Sequence, residues 1–193
     1  MPFLYFTLSM SIPIQHAFVF RFLSLAFAYP NEAFLSELKS IADKINDKTG
    51  SFIRLIASFE KEKQEMLQAE YTRLFINGYP HTPCPPYESV YREKRMLGQA
   101  SIDVQALYRE WEMSVETGLI DHIATEFEFL SFLASASTVK TIATAAKDSS
   151  DHFIKEHLCR WVPQFVGDLK SATSLDAYRL LGILVESSLK ACR

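Results

Sequence analysis

Apolar residues recur along this chain at three- and four-residue intervals, the spacing that lines one face of an α-helix. No stretch alternates apolar and polar as a half-buried strand would. The first stripe, Ala17, Phe18, Phe20, Phe22, Leu25 and Phe27, predicts a helix over about 15–29 that ends at Pro30. Asn31 stands where a side chain can cap the next helix, which carries Phe34, Leu35, Leu38 and Ile41. After the turn Asn46-Asp47-Lys48-Thr49-Gly50 comes a stripe of Phe52, Leu55, Ile56 and Phe59, followed by Met66, Leu67, Tyr71, Leu74 and Phe75. The polar run Glu60–Glu65 interrupts it, leaving open one helix with a solvated turn or two helices; Asn77-Gly78 supplies the stop.

Farther on, Val104, Leu107, Tyr108, Trp111 and Val115 make a stripe ending at Gly118, and Asp121 occupies an N-cap position ahead of Ile123, Phe127, Leu130 and Ala134. Another helix bears Phe153, Ile154, His157, Leu158, Trp161 and Phe165. Its Pro163 cannot donate to the Cys159 carbonyl and is expected to kink it. A last helix runs over about 175–189. Roughly six to nine helices with short connections make an all-α, single-domain globular bundle. Residues 14–193 are expected to form that domain and 1–13 an N-terminal extension, with Met10 as an alternative start.

The chain's 193 residues are enough to bury a core without staples, and 48% hydrophobic against 22% charged content is a globular balance. Twenty basic against 23 acidic residues give a net charge of −3, which argues against a partner held by phosphate neutralisation and so against nucleic acid. A cationic partner suits it better. Residues 1–20 carry no Lys, Arg, Asp or Glu, so the positive region of a signal peptide is missing. Pro13, Gln15, His16 and Arg21 interrupt any membrane span, and a buried first helix without stable membrane insertion is the expectation. Cys84, Cys159 and Cys192 are scattered and odd in number, as for unpaired thiols in a reducing cytoplasm.

The usual signatures of catalysis are missing. Six isolated glycines make no phosphate-cradling loop, and neither a nucleophile elbow nor a zinc-binding His pair occurs. His152 and His157 are five apart and face different sides of a helix, so no local metal site is expected. Glu126 and Glu128, two apart, likewise face away from each other. No catalytic residue, metal or cofactor is assigned.

Binding chemistry concentrates in Glu70–Tyr91. Four of the eight prolines fall between Pro80 and Pro86, stiffening a loop that carries Tyr79 and Tyr87, and surface loops of this kind suit a preformed recognition site. Tyr71, Phe75, Tyr79, Tyr87 and Tyr91 can line a groove for an apolar peptide or simply join the core. Glu88 and Glu93 add negative charge beside them. Asp121 has two compatible readings. It can cap its helix with His122 packed nearby, or offer an oxygen to an incoming guanidinium.

Tyr71-Thr72-Arg73-Leu74-Phe75, Pro85-Pro86-Tyr87-Glu88-Ser89-Val90-Tyr91 and Asp121-His122 together resemble the TorD/DmsD/NarJ family of redox-enzyme maturation chaperones. His157, Leu158, Trp161, Pro163 and Phe165 resemble a further family segment, read as structural. Two departures are visible: Leu119-Ile120 stands where the family usually has a proline before Asp-His, and Tyr87 where many relatives have tryptophan.

The resemblance implies a TorD-like helical fold and a cytoplasmic chaperone, not an enzyme. Its partner would be the precursor of a molybdopterin-dependent oxidoreductase subunit, held by its twin-arginine leader or another segment during cofactor insertion and before export. It implies a peptide site at Asp121 and His122, with Tyr71, Arg73, Phe75, Tyr79, Tyr87, Glu88 and Tyr91 around it. Either a monomer or a segment-exchanged dimer is compatible with a helical protein of this kind. The alternatives are a helical cofactor- or metal-binding enzyme with a composite site, and a structural subunit anchored through residues 3–29.

Overall fold

The computed structural model describes residues 12–115, 120–189 and 192; the expected extension over 1–13 lies almost wholly outside them, as does Gly118. Among the described residues the chain forms ten α-helical segments and no strand. These are α1 (Ile12–Ala26), α2 (Phe34–Ala42), α3 (Ser51–Glu60), α4 (Gln64–Tyr71), α5 (Glu88–Glu93), α6 (Gln99–Glu110), α7 (Ile123–Ala136), α8 (Ala143–Phe153), α9 (Cys159–Ala172) and α10 (Asp176–Ser188). Two π-helical turns interrupt the series. Thr72–Ile76 prolongs α4, and Ile154–Leu158 joins α8 to α9, so ten segments make nine continuous helices. The all-α expectation holds, and no helix among the described residues is long and apolar enough to cross a membrane.

The core is built around Phe27, in the turn just after α1, whose ring meets Phe75 at 6.2 Å, Phe127 at 6.2 Å and Phe165 at 5.6 Å between centroids. Three elements far apart in sequence therefore close on one side chain, and each such buried ring contributes roughly 1.5–3 kcal/mol. Helix α1 lies along α7, with the Ser131 hydroxyl donating to the Ala17 carbonyl at 2.8 Å. Within the described residues burial accounts for the apolar stripe of the first helix: Ala17, Phe20, Phe22, Leu23, Ala26 and Phe27 are all in the core.

One boundary left open is settled and another departs from expectation. The polar run after Phe59 separates two helices, because Lys63 adopts an extended backbone ahead of α4. The 104–115 stripe ends early, at Glu110. There the Met113 N–H reaches the Tyr108 carbonyl and the Glu112 N–H the Arg109 carbonyl, with Glu112 left-handed at φ 55°. That is a Schellman stop made without glycine, which is why sequence punctuation missed it. Pro163 lies inside α9 without ending it, and the widened π-helical turn sits just ahead of that helix.

The cysteines correct an expectation. Cys159 and Cys192 form a disulfide across 33 positions, with Cα atoms 4.8 Å apart. Helices α9 and α10 pack as an antiparallel pair, which brings the start of one beside the end of the other. Cys84 is free and fully buried, and burial pushes its thiol up to about 12, so it behaves as a small apolar group.

Candidate functional site

The proline-rich loop leaves the π-helical turn at Asn77 and returns at α5. Gly78 is required here, since a Cβ would lie 2.6 Å from the Arg73 carbonyl oxygen and 2.7 Å from Pro83 Cδ. The loop is tied down at Cys84, whose N–H donates to the Leu74 carbonyl at 2.9 Å. Farther along, it pairs with the segment ahead of α7. The Glu88 N–H donates to the Asp121 carbonyl at 3.0 Å and the Ile123 N–H to the Pro86 carbonyl at 2.9 Å, around a bridge between Tyr87 and His122. Local sequence could not anticipate this pairing, because it joins residues more than thirty apart.

This pairing exchanges the expected caps. Asp121 does not cap its own helix: its Oδ2 accepts from the Ser89 N–H at 2.7 Å, in the first turn of α5. The cap of α7 is His122, whose Nδ1 accepts from the Ala124 N–H at 3.1 Å. Nδ1 must be unprotonated to do so. Burial accordingly holds His122 down to about 4, outweighing the raising influence of Asp121. Both side chains are nearly closed off, Asp121 at 1% exposure and His122 at 6%. They fix where the loop sits and do not present themselves to solvent.

Beneath the loop lies a buried polar cluster that sequence spacing did not disclose. Glu88 accepts from His157 Nδ1 at 3.2 and 3.0 Å and pairs with Arg92. Glu126, also fully buried, accepts from the Trp161 indole N–H at 3.2 Å, while its Oε1 has no hydrogen-bond partner among the described residues. Burial, then the negative field of Glu88, raises the Glu126 carboxyl well above the usual range. The residues from α5, α7 and the turn leading into α9 meet only in the folded chain. No group of His, Cys, Asp and Glu that could hold a metal occurs among the described residues.

Not every expected site residue reaches the surface. Phe75 is in the core against Phe27, Phe165 and Tyr178, and Tyr71 is buried with its hydroxyl donating to the Phe27 carbonyl at 3.1 Å. Arg73 is engaged with both oxygens of Glu70 and with the Ala172 carbonyl, so it braces the α9–α10 corner. Tyr71 and Phe75, four apart, share a face that points inward, while Arg73 lies on another side and is held at the α9–α10 corner. The same sequence spacing would suit a groove equally well, which is why periodicity alone did not separate the two. The accessible rings are Tyr79, wholly exposed, with Tyr87 and Tyr91 half-buried. Tyr87 stands edge-on to His122 with centroids 5.1 Å apart. Tyr91 packs on Trp161 and Phe165 and donates its hydroxyl to Asp168 Oδ2 at 3.1 Å.

Comparison with known proteins agrees with this architecture. The chain is 31% identical over 127 residues to the chaperone protein TorD of Vibrio cholerae O1 El Tor, and 30% to that of the classical Ogawa strain. The match covers 62% of this chain and 56% of the relative, little more than half of its length. A crystal structure from Archaeoglobus fulgidus, described as a candidate redox enzyme maturation protein, superposes with a TM-score of 0.64 at 25% identity. It covers 97% of this chain and 96% of that one. Residues 30–167 match the model of the nitrate reductase delta subunit family, a span holding the tyrosine loop, Asp121-His122 and the buried cluster, and the chain belongs to that family.

Proposed function

We propose that this chain is a cytoplasmic chaperone for the precursor of a molybdopterin-dependent oxidoreductase subunit. It takes the twin-arginine leader, or an equivalent segment of the client, beside the 77–91 loop, and assists cofactor insertion before export. The observation that carries this reading is the contrast within the loop: Tyr79, Tyr87 and Tyr91 are open to differing degrees, while Glu88, Asp121 and His122 beneath them are buried and bonded.

A loop held this way has already lost its freedom before binding, sparing roughly 0.5–1.5 kcal/mol per side chain that would otherwise be ordered. Tyrosine rings offer apolar faces with polar tips, which suits the apolar stretch of a leader. Burial of that stretch supplies affinity at roughly 25 cal/mol per Å². In this reading Asp121 and His122 act by positioning the loop. Family membership and the likeness to proteins named for chaperone and maturation roles support it.

The test is titration calorimetry of the purified chain with a synthetic leader of paired arginines and an apolar run, alongside capture of the precursor from cell extract. Saturable leader binding is expected. Asp121→Ala should weaken it several-fold with circular dichroism at 222 nm unchanged, because one cap of about 1 kcal/mol is lost rather than a helix. A chain that takes neither leader nor precursor overturns the reading.

A further inference from the structure

Resting on the proposed function, we propose that Asp168 is the carboxylate that receives a client guanidinium, at a half-buried site formed with Tyr91 where the buried face of α9 reaches its edge. Five acids near the loop are already committed within the fold. Asp121 serves the Ser89 N–H, Glu88 serves His157 and Arg92, Glu126 serves Trp161, Glu70 serves Arg73 and the α9–α10 corner, and Glu93 serves the Gln99 and Ala100 N–H groups of α6. Asp168 differs from all of them. It is half-buried, it has no basic partner within 4 Å among the described residues, and its one hydrogen bond is the one accepted from Tyr91.

Its position fits the task. Trp161, Phe165 and Asp168 are spaced four and three apart and share one face of α9, the face against which Tyr91 packs. The Tyr91 hydroxyl holds Oδ2 and leaves Oδ1 without a hydrogen-bond partner among the described residues. A guanidinium can therefore donate to Oδ1 while lying over the tyrosine ring, gaining a charge-assisted hydrogen bond and a cation–π contact together. The chain's net charge of −3 favours the approach of a cationic segment.

The test is fluorescence anisotropy with two labelled synthetic leaders, one with its paired arginines and one with both replaced by alanine, on the wild-type chain and on Asp168→Asn. Asparagine keeps an acceptor for Tyr91, and an unchanged melting temperature verifies the fold. The expected result is about tenfold weaker binding of the arginine leader to Asp168→Asn, about 1.4 kcal/mol, with the alanine leader bound equally by both proteins. Equal affinity of the two proteins for the arginine leader overturns the assignment, as does an equal loss for both leaders. A wild-type chain that binds neither leader removes the leader reading itself, and this inference with it.

Discussion

Two buried glutamates, Glu70 and Glu126, hold comparable joints in this molecule and meet opposite fates. Glu70, at 7% exposure, receives Arg73 on both oxygens, the Thr173 hydroxyl, the Ser174 N–H and the Ser174 hydroxyl. Burial raises its pKa, but these donors together outweigh burial and leave it below the ordinary range. Glu126 has one indole donor, an orphaned oxygen and a like charge nearby, and its pKa rises. Burial alone therefore does not decide the charge of a carboxyl; the count and sign of the groups facing it do. The Glu70 joint is a satisfied anion that locks the α9–α10 corner to α4. The Glu126 joint is under-satisfied and lies beneath the candidate site, where natural proteins concentrate such compromises.

Breaking the satisfied joint should have the largest effect. Glu70→Ala is expected to cost about 4 kcal/mol, because several charge-assisted hydrogen bonds are lost and buried donors at Thr173 and Ser174 are orphaned. Urea unfolding would measure it, and a loss under 1 kcal/mol would show that the corner does not depend on the anion. The same helical hairpin is closed at its far end by Cys159–Cys192. Reducing that bond should cost at most about 3.7 kcal/mol by the loop-entropy relation for a separation of 33 residues. Thermal melts with and without reductant would detect it, and identical melts would show the constraint to be idle.

Acid should act next on the cap of α7. With His122 lowered from an ordinary 6.5 to about 4 in the folded chain, the unfolded chain takes up a proton first as pH falls. Stability is fully present above about 6.5 and is lost towards 4, by about 3 kcal/mol over that window. Glu126 runs the other way, its contribution being present at low pH and lost as pH rises. Glu70 loses its contribution only as pH falls below the ordinary glutamate range. Denaturant titrations from pH 6.5 to 4.5, compared with His122→Asn, isolate the histidine; parallel profiles in the two proteins would sink this account. Smallest is the repair of the under-satisfied joint. Glu126→Gln removes the charge penalty and can still accept from Trp161, so it should stabilise the chain at pH 7 by about 1 kcal/mol, a gain of 2–4 °C in melting temperature. A lower melting temperature would mean that the protonated carboxyl holds Glu88 better than an amide can.

How far the sequence could be read depended on the range of the interactions involved. Helical stripes survived into the fold because an amphipathic helix advertises its inward face every three to four residues. Asn31 was legible as a local turn former, its side chain accepting from the Ala33 N–H at 2.9 Å, although Ala33 itself takes the N-cap position of α2 without a side-chain cap. The exchange of caps at Asp121 and His122 was not, since it depends on the loop arriving from residues 86–89. The spacing test on Glu126 and Glu128 was sound for a single helix and silent about Glu88, which comes from another. Tyr71, Arg73 and Phe75 stand beside the loop in sequence yet face the core and the α9–α10 corner.

What the sequence determined by itself was the all-α architecture, most helix positions, the stiff tyrosine loop and the family, because these rest on local periodicity, backbone restriction and ordered motifs. Tertiary structure alone decided which acids are spent inside the fold, which tyrosines remain open, the pairing of Cys159 with Cys192 and the isolation of Asp168 on α9. Those properties belong to distances between residues remote in the chain. Hydrogen bonding and burial read such distances, and residue order does not encode them one stretch at a time.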